Sequence, residues 1–142
     1  MNRSRLTAQL KFDEGVKEYA YTDSEGYLTI GVGRLIDRTK GGKLSEDEIE
    51  YLLDNDIDRI QNQTIRAFHW YNDLNDVRQE VILNMVFNLG LNGFKNFKLM
   101  IKALERHDFT EASREMVDSK WSRQVGNRSL RLSEAMRLGE WA

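Results

Sequence analysis

Glycine placement constrains this chain more than any other feature. The 142 residues contain no proline and no cysteine, so glycine alone marks where regular structure must break. Gly26, Gly31 and Gly33 fall within one short stretch and Gly41-Gly42 follow it, which confines irregular and extended backbone to about residues 15–43. The remainder carries helical patterns and no internal repeat or low-complexity tract. Within the glycine-rich stretch, Tyr19-Ala20-Tyr21 and Tyr27-Leu28-Thr29-Ile30-Gly31-Val32 are aromatic and β-branched, and Thr22-Asp23-Ser24-Glu25-Gly26 between them has turn chemistry. The pattern predicts a β-hairpin.

Helical signals surround that hairpin. Leu6, Leu10 and Asp13-Glu14 predict a short opening helix that stops near Gly15, a residue suited to a helix C-terminus, and so place Glu14 at a helix end. Ser45 and Glu48 form a capping-box pattern, and Ile49, Leu52, Leu53, Ile57 and Ile60 continue from it at helical spacing, predicting a helix of roughly 20 residues. From Asn75, the residues Val77, Val81, Ile82, Leu83, Met85, Val86, Phe87 and Leu89 are apolar on nearly every side until Gly90. That distribution predicts a helix buried in the core rather than lying on it. Shorter patterns at about 97–105, from Asp108 onward, and at about 127–138 complete a mostly helical α+β chain with one small sheet near the N-terminus.

Composition sets the outer bounds. Apolar residues make up 40% and charged residues 31%, which places the chain among globular domains and excludes the disordered class. At this length one domain is expected. Without cysteine neither a disulfide framework nor a thiolate metal site is possible. His69 and His107 have no ligand-spaced partners, so hydrogen-bonded or solvated histidines are expected and no metal or other cofactor. The N-terminal residues lack the continuous apolar stretch of a signal peptide, and no run approaches the roughly 20 apolar residues of a membrane span. No stable membrane association is therefore expected. Acidic residues crowd the segment from Glu46 to Asp58, and Arg114, Lys120, Arg123, Arg128, Arg131 and Arg137 enrich the last quarter. Solvated helix faces explain this, and an anionic partner on one face would also suit it. A sequence pI of 5.7, with few aromatics among the arginines, argues against nucleic acid.

Three residues carry candidate chemistry: Glu14 at a helix end, Asp23 on the hairpin turn and Thr29 on the returning strand. Glycoside hydrolysis by the usual route needs two carboxyl groups about the scissile bond, one protonated and one ionised. A carboxyl beside a folded core is more easily kept protonated than one on a wet turn, which makes Glu14 the acid candidate and Asp23 the base candidate. Spacing alone favours helix termination and turn formation as the explanation for these residues.

Resemblance singles out the chemical reading. The run Asp13-Glu14-Gly15, then Tyr21-Thr22-Asp23-Ser24-Glu25-Gly26-Tyr27-Leu28-Thr29-Ile30-Gly31-Val32-Gly33, resembles the lysozymes of the T-even bacteriophages, a family of muramidases also called endolysins. The likeness returns in Asn84-Met85-Val86-Phe87-Asn88-Leu89-Gly90 and in Lys120-Trp121 with Gln124, Asn127-Arg128 and Arg131. It implies a lysozyme-like fold in one domain, 1–142. A small β-containing lobe at about 15–60 would pack beside a helical lobe made of 1–14 and 61–142, with a cleft between them. It implies hydrolysis of the β-1,4 bond between N-acetylmuramic acid and N-acetylglucosamine, with inversion. The matching glutamate, Glu14, would donate the proton, while Asp23 and Thr29 would hold and activate water. Inversion calls for carboxyl groups about 6.5 to 9.5 Å apart, leaving room for that water. The implied partner is the peptidoglycan glycan strand and the implied setting a monomer in the host cytoplasm until a holin opens the membrane. A wall-binding module of the same fold without activity and a lytic transglycosylase are the alternatives, and retention of all three matching residues opposes the first.

Further residues are candidates for the cleft. Gly33 and Leu35 follow the hairpin, where Gly31-Val32-Gly33 marks backbone passing close to substrate or to Glu14. Asn84, Asn88 and Gln124 either line the cleft or bond internally, and Arg128 suits the carboxylates of wall peptides. Phe97 completes the proposed substrate-binding set. Met85, Phe87 and Trp121 are expected to pack in the core rather than against sugar. Two departures from the family stand out: Arg34 replaces the usual histidine after Gly-x-Gly, altering a local ion-pair network, and the segment 37–44 is shortened.

Overall fold

The computed structural model describes residues 1–36 and 42–141 and shows the mostly helical α+β architecture expected. Of the shortened segment, residues 37–41 lie outside the described residues. The chain divides into two compact units, Met1–Tyr51 and Leu52–Ala142.

The first unit opens with helix α1 (Arg3–Glu14), started by the Asn2 side chain, which accepts the Arg5 amide at 2.9 Å. It stops at Gly15, whose amide donates to the Lys11 carbonyl. Strands β1 (Lys17–Thr22) and β2 (Leu28–Gly31) form the expected antiparallel hairpin, pairing Tyr21 with Thr29 and Thr22 with Leu28. An irregularity between Lys17 and Tyr21 bends β1. A third strand, β3 (Arg34–Leu35), pairs Thr29 with Leu35 and Ile30 with Arg34. Two residues are too few to show alternation, which is why the sequence signals only a hairpin.

Helix α2 (Glu46–Ala67) starts on the expected box: the Ser45 amide donates to Glu48 Oε1 at 2.9 Å and the Glu48 amide to Ser45 Oγ at 3.4 Å. In the second unit a 3-10 turn (Tyr71–Asp73) leads to α3 (Asp76–Lys95), capped by Asn75. Helices α4 (Lys98–Glu105), α5 (Phe109–Val117), α6 (Lys120–Val125) and α7 (Asn127–Leu138) follow. Gly90 breaks α3 with φ 75° and ψ 161°, a conformation restricted to glycine, and the helix resumes beyond it.

Val81, Ile82, Met85, Val86 and Phe94 of α3 are buried with Leu104, Met116, Trp121, Leu132 and Met136. Each such side chain contributes roughly 1.5 to 3 kcal/mol on burial. Contrary to expectation, α3 is buried on one side only: Phe87 is 49% exposed and Asn88 is exposed as well. The ends of this unit are clasped by polar bonds, with Arg78 Nε donating to the Met136 carbonyl and Asn75 Nδ2 to that of Gly139. No helix among the described residues is long and apolar enough to cross a membrane.

Candidate active site

The three candidate reacting groups all belong to the first unit. Glu14 is the last residue of α1, and its side chain lies along the turn joining β2 to β3. A Cβ placed on Gly33 would stand 3.0 Å from Glu14 Oε2. The backbone approach expected at Gly31-Val32-Gly33 is therefore made at Gly33, and to Glu14.

Asp23 organises its own turn. Its Oδ1 accepts the amides of Glu25 at 2.9 Å and Tyr27 at 2.8 Å, and its backbone amide donates to the Tyr27 carbonyl. Both side-chain bonds end on Oδ1, so among the described residues Oδ2 is the oxygen without a protein donor. Glu14 is exposed and Asp23 half-buried, the reverse of the expected drier acid and wetter base. A glycine neighbour gives Glu14 no side-chain cover, whereas the Asp23 carboxylate is folded into its turn. Thr29 is buried at 2% exposure, and its hydroxyl donates to the Tyr27 carbonyl at 3.1 Å while keeping its lone pairs as acceptors. Leu35, paired with Thr29, is half-buried.

Arg34 shows what replaces the histidine. Its guanidinium forks onto Glu48, with Nη2 2.8 Å from Oε1, and Nη2 also donates to the Lys43 carbonyl at 2.6 Å. The Arg34 fork first, then the Ser45 amide and hydroxyl, hold the Glu48 carboxyl down at about 2 from its ordinary 4.5. One carboxylate thus closes the start of α2 and anchors β3.

In the second unit the remaining candidates separate into two groups about α3. Asn84 Oδ1 accepts two bonds from Arg128, from Nε at 3.0 Å and Nη2 at 2.7 Å. Both residues line a cavity of about 290 Å³ with Leu83, Phe87 and residues of α2. Phe97 and Gln124 line a second cavity, of about 570 Å³, together with Trp121 and Asn96. Asn88 belongs to the core's edge: its Oδ1 accepts Trp121 Nε1 at 2.9 Å. Internal bonding is thus what Asn84 and Asn88 do in this structure, while Gln124 stays exposed.

Met85 and Trp121 are core residues as expected, at 0% and 4% exposure, but Phe87 is not. Its position could have been read from Asn84 and Asn88, which lie three residues before and one after it and mark the polar side of α3. The Arg34–Glu48 pair was beyond sequence reading, since nothing local couples residues fourteen apart across a glycine-rich segment.

The phage lysozyme family profile matches residues 11–136. The probable T4-type lysozyme 1 of Dictyostelium discoideum is 34% identical over 96% of this chain and 95% of its own length. The endolysin of Acyrthosiphon pisum secondary endosymbiont phage 1 is 28% identical over 83% of this chain and 77% of its own length. The pre-baseplate central spike protein of Enterobacteria phage T4 is 25% identical over 94% of this chain and 28% of its own length. With a helical fold, a small N-terminal sheet and a profile match over most of its length, the chain belongs to the phage lysozyme family and is a lysozyme-type glycoside hydrolase.

Proposed function

We propose that this lysozyme cleaves the β-1,4 bond between N-acetylmuramic acid and N-acetylglucosamine in peptidoglycan by single displacement with inversion. Glu14 gives its proton to the glycosidic oxygen as the C1–O bond breaks. A water held by Asp23 and Thr29 attacks C1 from the opposite face, and the Asp23 carboxylate takes the proton that the water loses. One water is consumed, a new reducing end forms, and no cofactor is needed. The observation that supports this reading most is the Glu14 side chain lying against Gly33, because it ties the acid to the sheet that carries Asp23 and Thr29. Glu14 is open to a glycan, whose arrival would displace water from the carboxyl. Thr29, being buried, would be reached by a single ordered water.

The second unit supplies polymer contacts in this reading. Among the described residues, the hydrogen bonds of the Arg128 side chain go to Asn84 alone. Its charge is therefore available to a wall-peptide carboxylate, beside the Phe87 ring that suits a sugar face. Leu35, Phe97 and Gln124 remain candidate substrate contacts, and Gly33 faces Glu14, whereas Asn84 holds Arg128 and Asn88 holds the core residue Trp121. In this reading the enzyme works as a monomer and is held in the host cytoplasm until lysis; the relative named an endolysin supports the lytic role alone.

The test compares wild type with Glu14→Gln at equal folded concentration, by clearing of outer-membrane-permeabilised Gram-negative cells and mass spectrometry of released muropeptides. Wild type is expected to release reducing ends and Glu14→Gln to lose clearing by at least about 100-fold. Equal clearing removes Glu14 from the mechanism, and anhydro sugars replace hydrolysis with transglycosylation.

A further inference from the structure

Gly31 and Gly33 bracket the tight turn between β2 and β3, and both hold left-handed backbone, at φ 69° and 67°. Their surroundings differ. A Cβ on Gly31 would meet nothing within 4 Å. A Cβ on Gly33 would lie 3.0 Å from Glu14 Oε2 and 3.3 Å from both Cβ and Cδ of Glu14. Carbon contacts are most favourable at about 3.5 to 4.0 Å, so a side chain at 33 would press on the stem of Glu14 and on its carboxyl together.

We propose that Gly33 is a positioning residue for the acid: its bare backbone is the seat that fixes where the Glu14 carboxyl stands. This rests on Glu14 being the proton donor. The seat is held from both sides. Glu14 is carried at the capped end of α1, so its Cα is set by the helix and only side-chain rotation can relieve pressure on it. Gly33 is followed directly by Arg34, which pairs with Ile30 in the sheet and forks onto Glu48 at the start of α2. Retreat of the turn would pull on that fork and on the pairing with Ile30. A glycine seat also backs the carboxyl on one side while leaving its other side open, which a larger residue would not. In this arrangement Gly33 acts on the acid rather than on the sugar, and its loss is felt in the chemical step.

The experiment pairs Gly33→Ala with Gly31→Ala in the full chain, using steady-state hydrolysis of soluble, uncross-linked peptidoglycan strands. Both variants place alanine at nearly the same positive φ, so backbone penalties of similar size are expected, and kcat is compared at temperatures where both are folded. Alanine at 33 requires Glu14 to give by a few tenths of an ångström, and since a misplacement of about 1 Å costs on the order of 100-fold, the smaller shift costs roughly ten-fold. Gly33→Ala is expected to lose kcat by about that factor with KM within about two-fold, while Gly31→Ala keeps kcat within about three-fold of wild type. A second readout is the ¹³C carboxyl resonance of Glu14, expected to move in Gly33→Ala and to stay in Gly31→Ala. Where alanine prevents folding, the Gly33→Asn and Gly31→Asn pair repeats the comparison, because asparagine tolerates left-handed backbone best among non-glycine residues. Equal kcat in the two variants, or a rise in KM at unchanged kcat in Gly33→Ala, overturns the seat. Full activity in Glu14→Gln would instead overturn the acid assignment, and with it any part for Gly33 in the reaction.

Discussion

Asn88→Ala separates a structural from a substrate-contacting role by a measurable amount. Asn88 Oδ1 accepts the indole N–H of Trp121 at 2.9 Å, and Trp121 is only 4% exposed, in edge-to-face contact with Phe97. Removing the amide strands a buried donor, which costs about 1 to 3 kcal/mol, more than the roughly 1 kcal/mol net value of an ordinary hydrogen bond. For a chain of this size each kcal/mol shifts Tm by about 4 °C, so a fall on the order of 4 to 12 °C is expected. Asn88→Asp keeps an acceptor in place and should remain within about 1 kcal/mol of wild type. Trp121→Phe removes the donor as well, so the Asn88→Ala change should become small in that background, the coupling being read from a double-mutant cycle in urea. On peptidoglycan strands, Asn88→Ala should keep KM within about two-fold at temperatures where it is folded. Stability within about 0.5 kcal/mol of wild type together with a large rise in KM would refute the structural assignment and make Asn88 a substrate contact.

The Arg34–Glu48 fork predicts a pH signature. Because the folded Glu48 carboxyl is lowered from 4.5 to about 2, its stabilisation is fully present above pH 4.5 and is lost as pH falls toward 2. Urea midpoints of wild type and Glu48→Gln should differ most near neutrality and converge between those limits. The pair is solvent-exposed, so added salt should narrow the gap; a difference constant from pH 7 to pH 2 would rule the linkage out. Phe87→Ala tests the one-sided burial of α3. With half its surface already in water, Phe87 should cost about 1 kcal/mol on truncation and raise KM, whereas Met85→Ala, fully buried, should cost about 2 to 5 kcal/mol. Equal thermal losses in the two variants would return Phe87 to the core.

Much of this protein is legible without coordinates because its signals are local. The capping pattern of Ser45 and Glu48, the turn residues from Asp23 to Gly26 and the stop at Gly15 involve neighbours within four positions, where backbone stereochemistry leaves few choices. Glu14 at a helix end, Asp23 on a turn and Thr29 on a strand are therefore sequence-determined placements. Which neighbours those residues meet is another matter. Apolar residues all round α3 said that it would pack but not on which side, and only the packed second unit left Phe87 outside and Met85 within. The Asn84–Arg128 and Asn88–Trp121 bonds join residues 44 and 33 apart, and no short-range rule selects one partner over another at such separations. The pairing of Gly33 with Glu14 is of the same kind: a third strand of two residues folds the turn back onto the end of α1. The sequence alone determined what each candidate group is and which local element carries it. Tertiary structure alone decided what each group touches, because contacts across a fold depend on how whole elements close on one another rather than on the residues beside them.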